Sequence, residues 1–185
     1  MNRINFIKSV KMHHACSCCD LRPAMRCILF ENGYAYASDG HIAVRHEINE
    51  ISNFPDEQKN ILEGKLLHKD SYRKILKYNF VKITEAGFEC LNSSDGSIAI
   101  FPFFKLDVKF PNAEEVVQKS LGKESAGVGL AKFAASADKI SRLCKALGDG
   151  GCKYLFTHTN ANDVIIVRTD DYPSSIGLLM PIYND

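Results

Sequence analysis

The sequence contains no apolar run close to the roughly 20 residues that a membrane-spanning helix needs. Its first six residues also lack the apolar core of a secretory signal, so we expect a cytoplasmic location and no membrane partner. Basic residues number 23 and acidic residues 22, and the resulting net charge of +1 says nothing by itself about a nucleic-acid partner. Hydrophobic residues make up 45% and charged residues 24%, which is typical of an ordinary globular protein.

The seven cysteines are an odd number without the spacing of a disulfide framework, so we expect reduced thiols. Zinc-type ligands are dense between His13 and Cys19, where His14, Cys16 and Cys18 also lie. However, Cys16 and Cys19 are the one pair there with C-x₂-C spacing, and no second ligand pair follows at the spacing of a zinc finger. We therefore expect no metal and no cofactor, and we keep a zinc-stabilised regulator as an alternative.

Residues 37–44, Ala-Ser-Asp-Gly-His-Ile-Ala-Val, place a turn inside a stretch with the composition of a strand. Asp39-Gly40 is a strong turn signal, because glycine adopts positive φ without steric cost and aspartate bonds nearby backbone. Such a turn or bulge presents Asp39 and His41 at its rim. Three interpretations remain open: an ordinary hairpin turn with a surface histidine, a catalytic Asp–His pair, or a family signature.

An order of one helix followed by three strands occurs three times along the chain. Helices are predicted over residues 4–14, 68–79 and 130–147, and the last should bury one face formed by Phe133, Ala137, Ile140, Cys144 and Leu147. Strands are predicted over 25–30, 34–48, 65–67, 80–84, 88–91, 97–104, 152–157, 163–169 and 176–183, with connections over 49–63 and 118–127. This predicts an α+β fold with helices on one face of antiparallel sheets, a two-unit domain over 1–117, and a third unit over 128–185.

Positive charge is concentrated on the three predicted helices, although the whole chain is nearly neutral. Solvated helix faces usually carry both signs, so three basic faces favour a shared surface that contacts a polyanion. Chance remains an alternative, because lysine is a good helix former. With Arg22 added from the loop before the first strand, the predicted DNA-binding set is Lys8, Lys11, Arg22, Lys69, Arg73, Lys74, Lys77, Lys132, Lys139, Arg142 and Lys145.

Four segments resemble motifs of one protein family, in the same order as in that family. Residues 22–30 are similar to R-P-x-L-x-G-V-L-L/F, and residues 37–44 to (A/S)-(T/S)-D-G-H-R-L-A. Residues 110–116 are similar to F-P-D-Y-x-x-V, and residues 179–182 to the terminal V-M-P-M-R-L. The chain therefore resembles the bacterial DNA polymerase III beta subunits, the sliding clamps that encircle duplex DNA.

The resemblance implies a non-enzymatic, DNA-clamp-like processivity or recruitment factor. It would contact double-stranded DNA independently of sequence through basic helices, and it would bind a short peptide of a DNA polymerase or of another replication or repair protein. The apolar cleft for that peptide would be lined by Met25, Ser38, Gly40, His41, Pro111, Val116, Met180 and Pro181. A homo-oligomer is expected, because an odd third unit leaves a sheet edge unmatched.

The sequence also departs from the family pattern. Ile42 and Ala43 follow His41 where the family has arginine and leucine, and Ile182 begins a different chain end. The family chain is about twice as long. The alternative is therefore a clamp-fold protein-binding module that does not encircle DNA.

Overall fold

A computed structural model of the chain describes residues 4–105, 109–125, 133–149, 151–158 and 163–182. The fold is α+β with antiparallel sheets, as the sequence predicts. The strands are β1 Cys27–Glu31, β2 Tyr34–Ser38, β3 Ile42–Glu47, β4 Lys65–His68, β5 Phe80–Thr84, β6 Gly87–Leu91, β7 Ile98–Pro102, β8 Tyr154–Thr157, β9 Ile165–Thr169 and β10 Ile176–Leu179. The α-helices are α1 Ile48–Ile51, α2 Asp56–Ile61, α3 Lys69–Ile75, α4 Ala113–Ser125 and α5 Ala137–Leu147, and short 3₁₀ helices span Met12–His14 and Ala24–Arg26.

The strands form two antiparallel sheets. Seven strands lie in the order β4-β1-β2-β3-β10-β9-β8, and β5, β6 and β7 form a separate three-stranded sheet. The larger sheet joins distant parts of the chain, because β10 pairs with β3, with Ile176 opposite Arg45 and Leu179 opposite Ile42. It thus takes strands from both predicted domains, 1–117 and 128–185, and that division of the chain stays a prediction.

Side chains alternate between the two faces of the seven-stranded sheet, as pleated strands require. In β9, Ile165 and Val167 belong to the main core, together with buried residues of α3 and α5. Ile166 instead packs with Val117 of α4 and Leu178 of β10 in a second, smaller cluster. Helices α3 and α5 therefore cover one face of the sheet, and α4 covers the opposite face.

The main core is centred on Phe6, whose side chain is fully buried. The Phe6 ring centroid lies 5.0 Å from that of Phe54 and 5.1 Å from that of Tyr72 in α3. It also lies 6.1 Å from Phe30 of β1 and 5.8 Å from Phe88 of β6. This aromatic cluster joins the two sheets to each other and to α3.

The helix predicted over residues 4–14 is wrong. Ile4 and Phe6 instead form bridges to Phe80 and Ser52, and only Met12–His14 is helical, as a 3₁₀ turn. The Asn5 side chain fixes this extended course, because its amide donates to the carbonyl oxygens of residues 75 and 78 at 2.8 and 2.7 Å. Long-range packing here overrides an apolar spacing that fits a helix equally well.

Two further segments differ from the prediction. The connection predicted over 118–127 lies within α4 as far as residue 125, and the connection over 49–63 contains α1 and α2. Of the helix predicted over 130–147, residues 130–132 lie outside the described residues, and the helix begins at Ala137. Ala134 instead bridges Ile182, so Phe133 is not on the helical face. The buried face of α5 is formed by Leu143, Ala146 and Leu147.

Within the described part of the chain, no helix is both long and apolar enough to cross a membrane.

Candidate functional site

The turn between β2 and β3 is closed by its own side chains. Ser38 Oγ accepts a hydrogen bond from Gly40 N at 3.1 Å and donates to Ile42 O at 2.9 Å. Asp39 Oδ1 accepts from the backbone N–H groups of His41 and Ile42 at 2.8 and 3.0 Å. Gly40 has φ of 90°, a conformation that a side chain would strain. The sequence prediction of a turn set between two strands is confirmed.

The other carboxylate oxygen of Asp39 holds helix α5. Oδ2 lies 2.5 Å from Lys139 Nζ and 2.9 Å from Arg142 Nη1, and the Asp39 side chain is only 6% exposed. Burial would raise the pKa of Asp39, but the hydrogen bonds from Lys139 and from the backbone of His41 and Ile42 hold that pKa below its ordinary value. Asp39 is therefore an ionised anchor between the turn and α5.

Arg142 extends this anchor to a third segment. Its Nε donates to His14 O at 2.9 Å and its Nη2 to Cys16 O at 3.1 Å. One guanidinium thus fixes α5, the turn at Asp39 and the segment before β1 relative to one another.

The geometry does not favour the catalytic interpretation of Asp39 and His41. The His41 side chain is 67% exposed, and its Nδ1 lies 3.8 Å from Asp39 Oδ1, beyond hydrogen-bonding distance. The nearest hydroxyl in the turn, that of Ser38, donates to a backbone carbonyl instead of to His41. Asp39 is engaged by two cations and two backbone amides, which suits a structural role.

Most of the predicted cleft residues lie around this turn. A Cβ atom at Gly40 would be 3.6 Å from Met25 Cε and 2.9 Å from Arg22 Nη1. Met180 N donates to His41 O at 2.8 Å, so the end of β10 lies against the same turn. Met180 is 42% exposed and the neighbouring Pro181 is buried. Met25, Ser38, Gly40, His41 and Met180 therefore lie together, and we call this group the turn surface; Pro181 follows Met180 but is buried.

The two remaining cleft residues are placed by α4. Pro111 is exposed just before the helix, and Val116 is 47% exposed on it. Val116 lines a groove of about 220 Å³ with Lys123, Thr157 and Ile166, and none of the residues of the turn surface lines that groove. The assignment of all eight residues to one cleft stays a prediction.

A polar anchor that the sequence analysis missed fixes α4 on the sheet. Glu114 accepts hydrogen bonds from Tyr36 Oη at 2.8 Å and from Arg45 Nη1 at 3.0 Å. Burial would raise the pKa of Glu114, but hydrogen bonds from Gln118, Tyr36 and Arg45 lower it. No sequence signal pairs Glu114 with residues 69 and 78 positions earlier, so only the tertiary structure reveals this anchor.

The predicted DNA-binding residues fall into two groups, and Lys132 lies outside the described residues. Four are half-buried and bind other parts of the chain: Lys11 pairs with Asp149, Lys69 donates to Ser17 O, and Lys139 and Arg142 pair with Asp39. Six have exposed side chains, namely Lys8, Arg22, Arg73, Lys74, Lys77 and Lys145.

The segment that carries His13 and His14 contacts both α3 and α5. Tyr72 Oη of α3 donates to Val10 O at 2.9 Å, and Lys11 N donates to the carbonyl of Lys145 in α5 at 3.1 Å. The two histidine rings lie between these contacts in sequence, with centroids 4.4 Å apart.

The pKa values of both histidines reflect this position. Burial and then the positive charges of His14, Arg73 and Lys11 lower the pKa of His13 to about 4. Burial and then Lys145, Lys11 and Arg142 lower the pKa of His14. Arg73 of α3 and Lys145 and Arg142 of α5 therefore lie near these two rings. We call the surface around His13 and His14, with Arg73 and Lys145 as its exposed cations, the basic strip.

The cysteine-rich segment is not arranged as a metal site. Cys16 is buried and donates weakly to Met12 O at 3.8 Å, and burial raises its thiol pKa far above the ordinary value. Cys18 and Cys19 are exposed, and Lys69 Nζ lies 3.1 Å from Cys18 Sγ. Among the described residues, no group of three or more His, Cys, Asp or Glu side chains could hold a metal ion.

The sequence matches no protein-family model and no curated protein. The fold, in contrast, matches crystal structures of bacterial sliding clamps. The DNA polymerase sliding clamp of Bacillus subtilis aligns with a TM-score of 0.60 at 12% identity, over 100% of this chain and 65% of that chain. The Pseudomonas aeruginosa clamp aligns with a TM-score of 0.60 at 12% identity, over 100% of this chain and 68% of that one.

The Helicobacter pylori beta clamp, solved with a bound DNA ligase peptide, aligns with a TM-score of 0.62 at 14% identity, over 98% of this chain and 65% of that chain. This chain thus spans about two-thirds of the length of the clamps that it matches. Identities this low establish the fold alone, and we conclude that this chain has the fold of the bacterial DNA polymerase sliding clamps.

Proposed function

We propose that the protein is a non-enzymatic, sliding-clamp-like processivity or recruitment factor. The observation that carries the proposal is that the segment with His13 and His14 hydrogen-bonds to both α3 and α5, close to Arg73 and Lys145, within a clamp fold. The protein would contact the DNA backbone there and bind partner peptides at the turn surface.

The DNA contact rests on the six exposed cations defined above. Lysine and arginine side chains on a helix reach phosphates and carry no base-specific pattern, so binding is independent of sequence. Lys139 and Arg142, which are held by Asp39, contribute chiefly by fixing α5 in place.

The peptide contact rests on the turn surface. Met25 and the exposed Met180 provide adaptable apolar contacts for an extended peptide. The Helicobacter pylori clamp with its bound DNA ligase peptide supports this part by analogy. We propose a polymerase or another replication or repair protein as the source of the peptide.

A charge-reversal variant tests the DNA contact. Arg73→Glu/Lys145→Glu/Lys8→Glu reverses three exposed cations of the predicted DNA-binding set, two of which act on His13 and His14, without touching the Asp39 anchor. Its matched control, Lys82→Glu/Lys105→Glu/Lys153→Glu, changes the net charge equally at exposed positions outside the predicted DNA-binding set.

Duplex binding is measured by fluorescence anisotropy against salt concentration. We expect salt-dependent binding that the first variant abolishes and the control retains, with a logarithmic slope of about 0.9 per phosphate contact. Equal losses in both variants, or binding independent of salt, would contradict a specific role for α3 and α5.

A further inference from the structure

A cavity lies between the end of α3 and the turn from β6 to β7. Its volume is about 550 Å³, which is within the usual range of small-molecule sites. Lys74 and Lys77 line one side, and no aspartate or glutamate lines it. The cavity therefore carries an uncompensated positive charge.

Both lysines are available to a ligand. Each is exposed, and within the described ranges neither side chain forms an ion pair or a hydrogen bond, in contrast to Lys69 at the start of the same helix. They are three positions apart, with Lys74 in the last turn of α3 and Lys77 just after it. Lys77 N donates to Lys74 O at 3.0 Å, so the two stems lie side by side. Two adjacent ammonium groups without partners favour a ligand that carries phosphate.

The opposite part of the cavity suits a flat, partly apolar group. Tyr78 and Phe101 line it as an edge-to-face pair with centroids 6.0 Å apart, and Leu91 adds an apolar side chain that is 40% exposed. Asn79 and Ser93 supply amide and hydroxyl groups at the rim, and neither side chain bonds to another described residue. Aromatic walls with nearby amides are typical of sites for nucleic-acid bases.

We propose that this cavity binds a nucleotide, with its phosphate at Lys74 and Lys77 and its base against Tyr78 and Phe101. The source that we favour is a nucleotide unit of single-stranded nucleic acid. Arg73 belongs to the strip proposed to contact duplex DNA, and Lys74 follows it directly on the same helix. The strip and the cavity therefore share helix α3, and this choice of source rests on the proposed function.

The test uses the purified full chain and two probes, a fluorescein-labelled oligo-dT and a fluorescent ATP analogue. Ser93→Glu adds a negative charge at the cavity rim, and Ser93 does not belong to the predicted DNA-binding set. Lys74→Gln/Lys77→Gln removes both cations, and Lys82→Gln/Lys153→Gln is the control with the same change of net charge. Duplex binding is measured in parallel for every variant.

Both cavity variants should weaken oligo-dT binding by about tenfold or more, and the control should leave it nearly unchanged. Ser93→Glu should leave duplex binding intact. Absence of duplex binding by the parent protein, with oligo-dT binding retained, would count against the proposed function and not against the cavity. Competition of the ATP analogue with oligo-dT would confirm that both use one nucleotide site. Absence of binding by both probes, or oligo-dT affinity unchanged by Ser93→Glu, would overturn the proposal.

Discussion

The two carboxylate oxygens of Asp39 bind different parts of the protein. One oxygen closes the turn between β2 and β3, and the other binds Lys139 and Arg142 of α5. A residue that appears from the sequence to be part of a turn is thus also the link between the turn surface and a helix of the basic strip. Neither cation is near Asp39 in sequence, so spacing does not predict this pairing.

Asp39→Asn removes the charge that both cations face. We expect the free energy of unfolding to fall by about 1–3 kcal/mol in urea melts, because two partly buried cations lose their partner. The lowered pKa means that this stabilisation is complete above the ordinary pKa of aspartate and disappears as the pH falls through the lowered value. The variant should therefore show a flatter acid limb than the parent protein.

The matched control is Asp56→Asn, which loses a surface pair with Lys59 at an aspartate side chain that is 92% exposed. That control should change stability by less than about 1 kcal/mol. Equal effects in the two variants would show that the Asp39 anchor has no special role.

Met180 is the most accessible apolar member of the turn surface. Met180→Ala should weaken binding of a clamp-binding peptide by roughly 1 kcal/mol or more if Met180 anchors the peptide. The measurement is isothermal titration with the peptide, and Ile98→Ala is the control, because Ile98 is also an exposed aliphatic residue but lies on β7. An unchanged affinity in Met180→Ala would remove the turn surface as the peptide site.

His46 makes the fold sensitive to acid. Its Nε2–H donates to Ala146 O at 3.0 Å, its Nδ1 lies 2.6 Å from Ser175 Oγ, and burial lowers its pKa to about 4. The unfolded chain takes up this proton near the ordinary pKa, so stability falls as the pH decreases from 6.5 to about 4, by up to about 3 kcal/mol. Urea melts of His46→Gln over this range should show a smaller slope than the parent protein, and an equal slope would assign the effect to other groups.

Among the helices and strands, the hydrophobic pattern predicted strands better than helices. The predicted strand over 80–84 is observed as β5 with the same bounds, and the turn at Asp39-Gly40 separates β2 from β3 as expected. Alternating apolar residues and glycine-containing turns are local signals, so they are sufficient to predict the positions of these strands. The prediction of a helix over 4–14 failed because contacts of Asn5 and Phe6 with residues far along the chain hold this segment extended. A local sequence pattern does not contain such contacts. Of the candidate site, the position of the turn was predictable, but the division of the cations into paired and exposed groups was not.

The anchor of α4 gives a prediction for that helix. Glu114→Ala removes the acceptor for Tyr36 and Arg45 and leaves Val117 as the main buried contact. We expect faster hydrogen exchange over 113–125, while α5 keeps its protection. The control is Glu115→Ala, which loses an exposed i,i+4 pair with Lys119 and an exposed hydrogen bond from Asn112 Nδ2 but no contact with the sheet. Protection of α4 that is equal in both variants would mean that apolar packing alone holds the helix.

At the scale of the whole molecule, the two sheets leave outer strands without a described neighbour. One of these is β7, where Ile98 and Ile100 are 63% and 58% exposed on the outer side of the three-stranded sheet. An apolar outer strand of this kind can pair with another chain.

We therefore expect a homo-oligomer by light scattering at tens of micromolar. Ile98→Lys/Ile100→Lys should reduce the measured mass to that of one chain, and Leu21→Lys, at a loop position that is 91% exposed, should not. A monomeric mass for the parent protein would exclude a ring of several copies.

The pairing of β3 with β10 also determines the order in which the protein can fold. During synthesis, β3 is complete about 130 residues before its partner strand exists. Closing so long a loop is a slow, non-local step, and until it happens one side of β3 stays open to wrong pairing. Docking of α5 accompanies that step, because Leu143 and Leu147 pack closely against Gly177 of β10. In pulse-labelled refolding, amides of β1 and β2 should gain protection before those of β10, and Asp39 would acquire its two cations among the last contacts to form.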